Sequence, residues 1–249
     1  MIKFFRKIRY DLMEKNKTGK YFKYAIGEII LVVIGILIAL QVNNWNIQKT
    51  DKNRETKYLS NIVLDLNKDI SSLDFLIEFR KDRLIGDQEL IEHMNGNKIN
   101  DLNKLSKYVV NSLMENNFSP NNTTFLELSN SGNLNLISND SIKFLLLELE
   151  EVYKTNRLNI EHETFDYREY ISKPVIKNIN VDQLFPIYLG TKTIEEQKIT
   201  LDDFSTLLES RAYKNGLYIM SFMSNSYISE YEKIKTKSKK IIRIVENEK

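Results

Sequence analysis

The sequence predicts an all-α protein: one membrane-spanning helix near the N-terminus, then a bundle of long helices. Three observations carry that prediction. Only eight Gly and three Pro punctuate 249 residues, which favours long helices over a turn-rich β fold. A single apolar run, "YAIGEIILVVIGILIALQV", is long enough to cross a bilayer. Further on, apolar residues recur with the three-and-four stepping of packed helices.

Composition narrows the field before any motif is sought. About 42% of residues are apolar and 28% charged, as in an ordinary folded chain. The net charge of +2 gives no global footprint for nucleic acid, and no nucleic-acid partner is predicted. The absence of cysteine removes disulfides, thiol catalysis and thiolate metal sites together.

The chain divides into a basic arm (1–20), a transmembrane helix (21–45) and an extracytoplasmic helical domain (46–249). A helix over 21–45 would be about 37 Å long, against a hydrocarbon core of about 30 Å. Tyr21 and Tyr24 at one end and Trp45 at the other have the character of interfacial aromatics. A cleaved signal peptide is the rival reading. The run is long for one, and Ala39-Leu40-Gln41 places Gln where a small residue is needed. Eight Lys and Arg precede the apolar core, whereas Lys49, Lys52, Arg54 and Lys57 follow it. That asymmetry predicts a cytoplasmic N-terminus and a periplasmic C-terminal domain at a bacterial inner membrane. The lipid bilayer is thus one expected partner.

Glu28 is the one carboxylate in the apolar run, and it has two readings. It marks an ion path or an intramembrane contact, or it reaches headgroup water and the basic arm from a shallow depth. Gly35 and Ala39 form a small-xxx-small pattern that permits close helix packing.

The apolar stretch and its flanks, "GEIILVVIGILIALQVNNWN", resemble the N-terminal signature of a family of uncharacterised bacterial single-pass membrane proteins. The segment "TFLELSNSGNLNLISNDSIKFLLLELEEVY", Thr124 to Tyr153, resembles a second stretch of that family. The resemblance implies a membrane-anchored architecture and carries no activity.

Beyond the anchor, Leu59, Ile62, Leu66, Leu73 and Leu76 fall at a and d spacing, interrupted by Asp69. A second seam runs through Tyr213, Leu217, Met220, Ser224, Tyr227, Tyr231, Ile234, Ser238, Ile241 and Val245. The simplest arrangement is an antiparallel, coiled-coil-like pair of the first and last helices. The basic cluster Lys235, Lys237, Lys239, Lys240 and Arg243 then meets anionic headgroups or forms a solvated face.

Between these helices, Asp101 is expected to cap a helix running to Met114, and Thr123 or Thr124 the next one. Ser131-Gly132 reads as a helix stop, and Leu134, Leu136 and Ile137 as buried contacts. Asn139 or Asp140 opens a long helix expected to stop before Pro174, with Glu148, Glu150 and Glu151 on its solvated face. Asn178 to Thr200, with Pro186 and Gly190, reads as the one long irregular segment.

No catalytic set, cofactor or metal site is predicted. His93 and His162 lack the Glu-x-x-His spacing of di-metal bundles, and no phosphate-binding or nucleophile-elbow motif is present. The reading is a membrane-anchored scaffold or interaction protein that meets a protein partner or forms a homo-oligomer. The alternative is a subunit of an ion-conducting or ion-driven complex using Glu28. An enzyme would rest on the Asn178–Thr200 segment alone.

Overall fold

The computed structural model describes residues 18–248 together with Arg6 and Tyr10, with backbone only at Thr18, Lys20 and Tyr21. Most of the basic arm, and the side chain of Tyr21, lie outside the described residues. The chain separates into two compact units, Met1–Lys57 and Tyr58–Lys249. Among the described residues there are helices and no strands; the fold is all-α. Helix α1 (Thr18–Met94) contributes its first part to one unit and its second part to the other.

In the first unit α1 is long and apolar enough to span a membrane. Ile29, Leu31, Leu37 and Val42 are all more than half exposed, so this stretch buries no apolar face within the chain. Such a surface in water would carry a large hydrophobic penalty.

The second unit is built on three long helices: the rest of α1, α4 (Asp140–Tyr167) and α9 (Arg211–Asn247). Cross-contacts fix their directions. Asp69 meets Tyr153 and Arg80 meets Glu163, so α1 and α4 run parallel. Lys235 meets Asp74 at 2.6 Å and Arg80 lies over Tyr227, so α9 is antiparallel to α1. Lys237–Glu148 at 2.7 Å keeps α9 antiparallel to α4 as well. The expected antiparallel pair is therefore one side of a three-helix bundle, and the closest backbone packing of α9 is on α4. A narrow seam can satisfy either neighbour, so the stripe by itself does not distinguish a pair from a three-helix bundle.

Every seam residue read from the sequence is buried, from Leu59 to Leu76 on α1 and from Tyr213 to Val245 on α9. At Gly216 on α9, a β-carbon would lie 2.6 Å from the Tyr170 carbonyl oxygen. Glycine there allows two backbones to touch.

Shorter helices pack at both ends of the bundle. Asp101 accepts from the amides of Asn103 and Lys104 and caps α2 (Leu102–Ser112). Asn122, not a threonine, precedes α3 (Thr123–Asn130); Thr124 instead donates to Asp65 at 2.6 Å. Gly132 has φ +71, the left-handed conformation that stops a helix, and a 3₁₀ turn (Asn133–Leu136) follows. Ile137 is fully buried, while Leu134 and Leu136 are partly so. Asn139 caps α4 by accepting from Ser141 and Ile142.

Two expectations need correction. The helical path does not stop before Pro174: α4 passes through a π turn (Arg168–Ser172) into α5 (Lys173–Asn178), where Pro174 sits in the first turn. A first-turn proline needs no donor, so the ring is tolerated there. Nor is 178–200 irregular. It holds α6 (Val181–Tyr188) and α7 (Ile194–Gln197), the latter opened by a Thr193–Glu196 capping box. Leu184, Ile194 and Ile199 bury into a shared core with α8 (Asp202–Leu208) and Leu217 of α9. Leu189 remains exposed.

Candidate functional site

The core of the second unit is two apolar clusters. One gathers Leu59–Ile77 of α1 with α3, α4 and the C-terminal half of α9. The other gathers Leu90, Ile91, α2 and α5–α8 with the N-terminal half of α9. Between them α1 contributes Arg80, Arg83 and Asp87, which form a buried polar belt with residues of α4, α9 and the α2 terminus.

Arg80 is 2% exposed and grips Glu163 with both terminal nitrogens, at 2.5 and 2.8 Å. Its guanidinium also stacks on Tyr227, 4.2 Å from the ring centre. Burial alone would lower the Arg80 pKa; the bond and charge of Glu163 outweigh it and raise it. Two parallel N–H···O bonds fix the geometry of the pair.

Arg83 reaches the carbonyls of Met114 and Ser112 and faces Asp87 at 3.6 Å, an ionic contact too long for a hydrogen bond. Asp87 is almost wholly buried, and desolvation pushes its carboxyl up to about 6 despite Arg83. Beside it the Tyr213 and Ser112 hydroxyls bond at 2.9 Å, and burial raises the tyrosine pKa.

Nearer the first cluster's centre, Asp69 accepts from Asn121 twice, through backbone and side chain, and from Tyr153 at 2.6 Å. Burial, then the Asp69 charge, drives the Tyr153 phenol well above its ordinary range, so it stays a donor. Glu150 was expected on a solvated face. It is instead buried, held by Asn122 at 2.6 Å and Arg157 at 3.0 Å. It borders a cavity of about 20 Å³, with Asp65, Asn121 and Tyr153, large enough for one water.

Asp69, Arg80, Arg83, Asp87, Glu150 and Glu163 are buried, and their bonds tie the helices of the bundle together. Among the described residues no three His, Asp or Glu side chains converge on a metal position. His93 accepts from the Ile99 amide through Nδ1, a loop-closing bond, and His162 is exposed on α4.

The chain matches the profile of a family of unknown function (DUF6090) over residues 28–201. It belongs to that family. No protein of curated function matches it. No solved structure matches it either. The DUF6090 match begins at Glu28, takes in Arg80 and Glu163, and stops short of α9.

The residues singled out in the apolar stretch stay apart from this belt in sequence and unit. Glu28 is half-buried and lines a shallow surface hollow with Lys23, Tyr24, Gly27 and Leu31. Gly35 and Ala39 are exposed, and a β-carbon on Gly35 would meet nothing within 4 Å. Tyr24 and Trp45 are exposed, and Lys49 sits 5.3 Å from the Trp45 ring centre.

One surface was missed in the sequence. Helix α4 buries Ile142, Leu145, Leu149 and Tyr153 on one side. It also exposes Phe144 (61%), Leu147 (44%), Leu158 (60%) and Phe165 (63%). At about 100° per residue, these four point within roughly 60° of one another, nearly opposite the core-facing side. The helix is apolar on two faces. The signal was present in "FLLLELEEVYKTNRLNIEHETF", but residues on opposite faces cancel in any single-face reading.

Proposed function

We propose that this DUF6090 protein is a membrane-anchored helical scaffold that acts through protein contacts of its Tyr58–Lys249 unit. The observation that carries the reading is the outer face of α4, with four large apolar side chains exposed on a helix whose inner face is already satisfied. A surface of that kind is expensive in water and characteristic of association sites. The long apolar part of α1 supports the anchor. The charge asymmetry around it supports a cytoplasmic N-terminus and an external domain at a bacterial inner membrane.

Cross-linking in intact cells from a photoreactive residue at Leu158 tests the reading. Protein adducts at that face are expected. A monomer that yields none there overturns it.

Topology is tested with single cysteines, which the cysteine-free sequence makes clean. Thr18→Cys and Lys239→Cys serve, since Lys239 is exposed whereas its neighbour Ser238 is fully buried. Labelling of position 239 alone by a membrane-impermeant maleimide in intact cells is the expected result. Labelling of position 18 alone reverses the orientation.

The second reading, an ion-conducting complex, rests on the half-buried Glu28 within an apolar helix. Glu28→Gln that inserts normally and leaves conductance unchanged removes it.

A further inference from the structure

The two buried arginine–carboxylate pairs of the belt differ in geometry. Arg80 and Glu163 are closed, with bonds at 2.5 and 2.8 Å. One turn further along α1, Arg83 and Asp87 are open. Arg83 Nε and Asp87 Oδ2 stand 3.6 Å apart, and neither atom has a hydrogen-bond partner among the described residues. Arg83 is 4% and Asp87 1% exposed, so bulk water does not supply the missing bonds. Two orphaned groups this close carry a desolvation penalty that a small rearrangement would recover.

The end of α2 also draws on Arg83. Its terminal nitrogens reach the carbonyls of Met114 at 3.3 Å and Ser112 at 3.4 Å, both near the outer limit of a hydrogen bond. The guanidinium is thus suspended among three acceptors and sits close to none of them.

We infer that Arg83 is a two-position clasp shared between the α2 terminus and Asp87, and that a proton on Asp87 decides which of them holds it. With Asp87 neutral, the guanidinium stays on the Ser112 and Met114 carbonyls. With Asp87 ionised, a movement of about 0.7 Å brings Nε to ordinary hydrogen-bonding distance of the carboxylate. That bond is charge-assisted and the stronger one, and the two long carbonyl contacts are given up for it. This device goes beyond the interaction reading and does not rest on it.

Few titratable groups surround the pair. From α1 the charge facing Asp87 is Arg83. From α9 comes the Tyr213 phenol, which burial and then the Asp87 charge keep protonated. From α4 the Tyr167 ring lies 5.9 Å from the Arg83 guanidinium, and Glu115 acts on that phenol in turn. The α2 terminus presents the Ser112 hydroxyl and the two carbonyls.

The direction of the response follows from burial. Desolvation holds the Asp87 carboxyl at about 6 with the pair open. Bonded to Arg83, the carboxylate would titrate near its ordinary value of about 4. The hold on α2 is therefore fully present below about pH 4 and is lost as pH rises through about 6. Between those limits the opening constant grows by up to about tenfold per pH unit. Release stays local. Tyr167 still donates to the Leu113 carbonyl at 2.6 Å, and the Ser112 and Tyr213 hydroxyls still bond at 2.9 Å.

Hydrogen–deuterium exchange of the full chain in detergent, at about pH 5 and about pH 7.5, tests this, with each rate divided by that of an unstructured peptide at the same pH. The reporter is the Met114 amide, which donates to the Asn111 carbonyl at 3.0 Å. Its protection is expected to fall about tenfold or more from the acid to the neutral sample, with the amides of Tyr231 to Ile241 on α9 unchanged. Asp87→Asn is expected to keep the reporter protected at both pH values. Glu115→Gln, which neutralises the carboxylate acting on Tyr167, is expected to leave the response intact.

Equal protection of the parent at both pH values overturns the clasp. So does a response that survives in Asp87→Asn, or one that Glu115→Gln abolishes. A loss of protection shared equally by α9 overturns the local release and makes the effect one of whole-bundle stability.

Discussion

Replacing Arg80 by methionine should do more harm than removing the whole ion pair. Arg80→Met keeps much of the side-chain volume but leaves the Glu163 carboxylate 3% exposed and without its bidentate partner. Breaking a buried pair by removing one member costs about 3–5 kcal/mol. Loss of the guanidinium stacked 4.2 Å from Tyr227 adds about 1 kcal/mol. A total near 5 kcal/mol is a third or more of the stability of an ordinary domain. For a unit of this size it lowers the melting temperature by roughly 10–20 °C. Arg80→Met/Glu163→Leu removes both charges and should lie within about 2 kcal/mol of the parent, because no charge is then stranded. Thermal unfolding of the full chain in detergent, followed by far-ultraviolet circular dichroism, measures both variants. A single variant melting within about 3 °C of the parent, or a double variant as unstable as the single, refutes the argument.

Other outcomes follow from particular contacts. Gly216→Ala would gain about 1 kcal/mol from helix propensity on an open surface. Here the added carbon meets the Tyr170 backbone at 2.6–2.9 Å, so a net loss of about 1–3 kcal/mol is expected. Gly86→Ala, which meets only the movable Tyr108 ring at 3.0 Å, is the control and should be much milder. Asp87 has a folded pKa raised to about 6, above an unfolded value near 4. Its contribution is therefore fully present below about pH 4 and lost as pH rises through about 6. Asp87→Asn should gain up to about 3 kcal/mol relative to the parent between pH 4 and 7, and parallel melting curves across that range would exclude the shift. Leu73→Ala, at a fully buried seam position, should cost about 2–5 kcal/mol in the same unfolding assay, whereas Leu64→Ala on the exposed side should change stability by less than about 0.5.

The sequence was most legible where one face of a helix alternates cleanly. Every seam position from Tyr213 to Val245 is buried because α9 has one apolar stripe and few breaks in it. Caps at Asp101 and Asn139 and the stop at Gly132 were equally readable, since each depends on bonds within a few residues. What escaped depends on distance. Arg80 and Glu163 lie 83 positions apart, and nothing local to either marks the partner. Glu150 looks solvated until α3 brings Asn122 to it. Pro174 and Pro186 argue for breaks, but helix–helix packing, with one at a first turn, overrides them. Of Leu134, Leu136 and Ile137, all expected to be buried, only Ile137 is sealed; the two leucines lie partly exposed against the core. In the membrane-length stretch the sequence marked Glu28, Gly35 and Ala39, and the folded unit adds no neighbour for Gly35.

The spacing of the polar layers has a mechanical consequence. Asp69–Tyr153 and Arg80–Glu163 join α1 to α4 at two points about 16 Å apart along the axis, like teeth in matching slots. Sliding α4 by one turn would strand an arginine and three acids or phenols in hydrocarbon at once, while the aliphatic layers alone would tolerate the step. The bundle is therefore stiff against shear between its helices. A push or twist applied at one end of this unit travels to the other as movement of the whole body, and does not dissipate as one helix ratcheting past another.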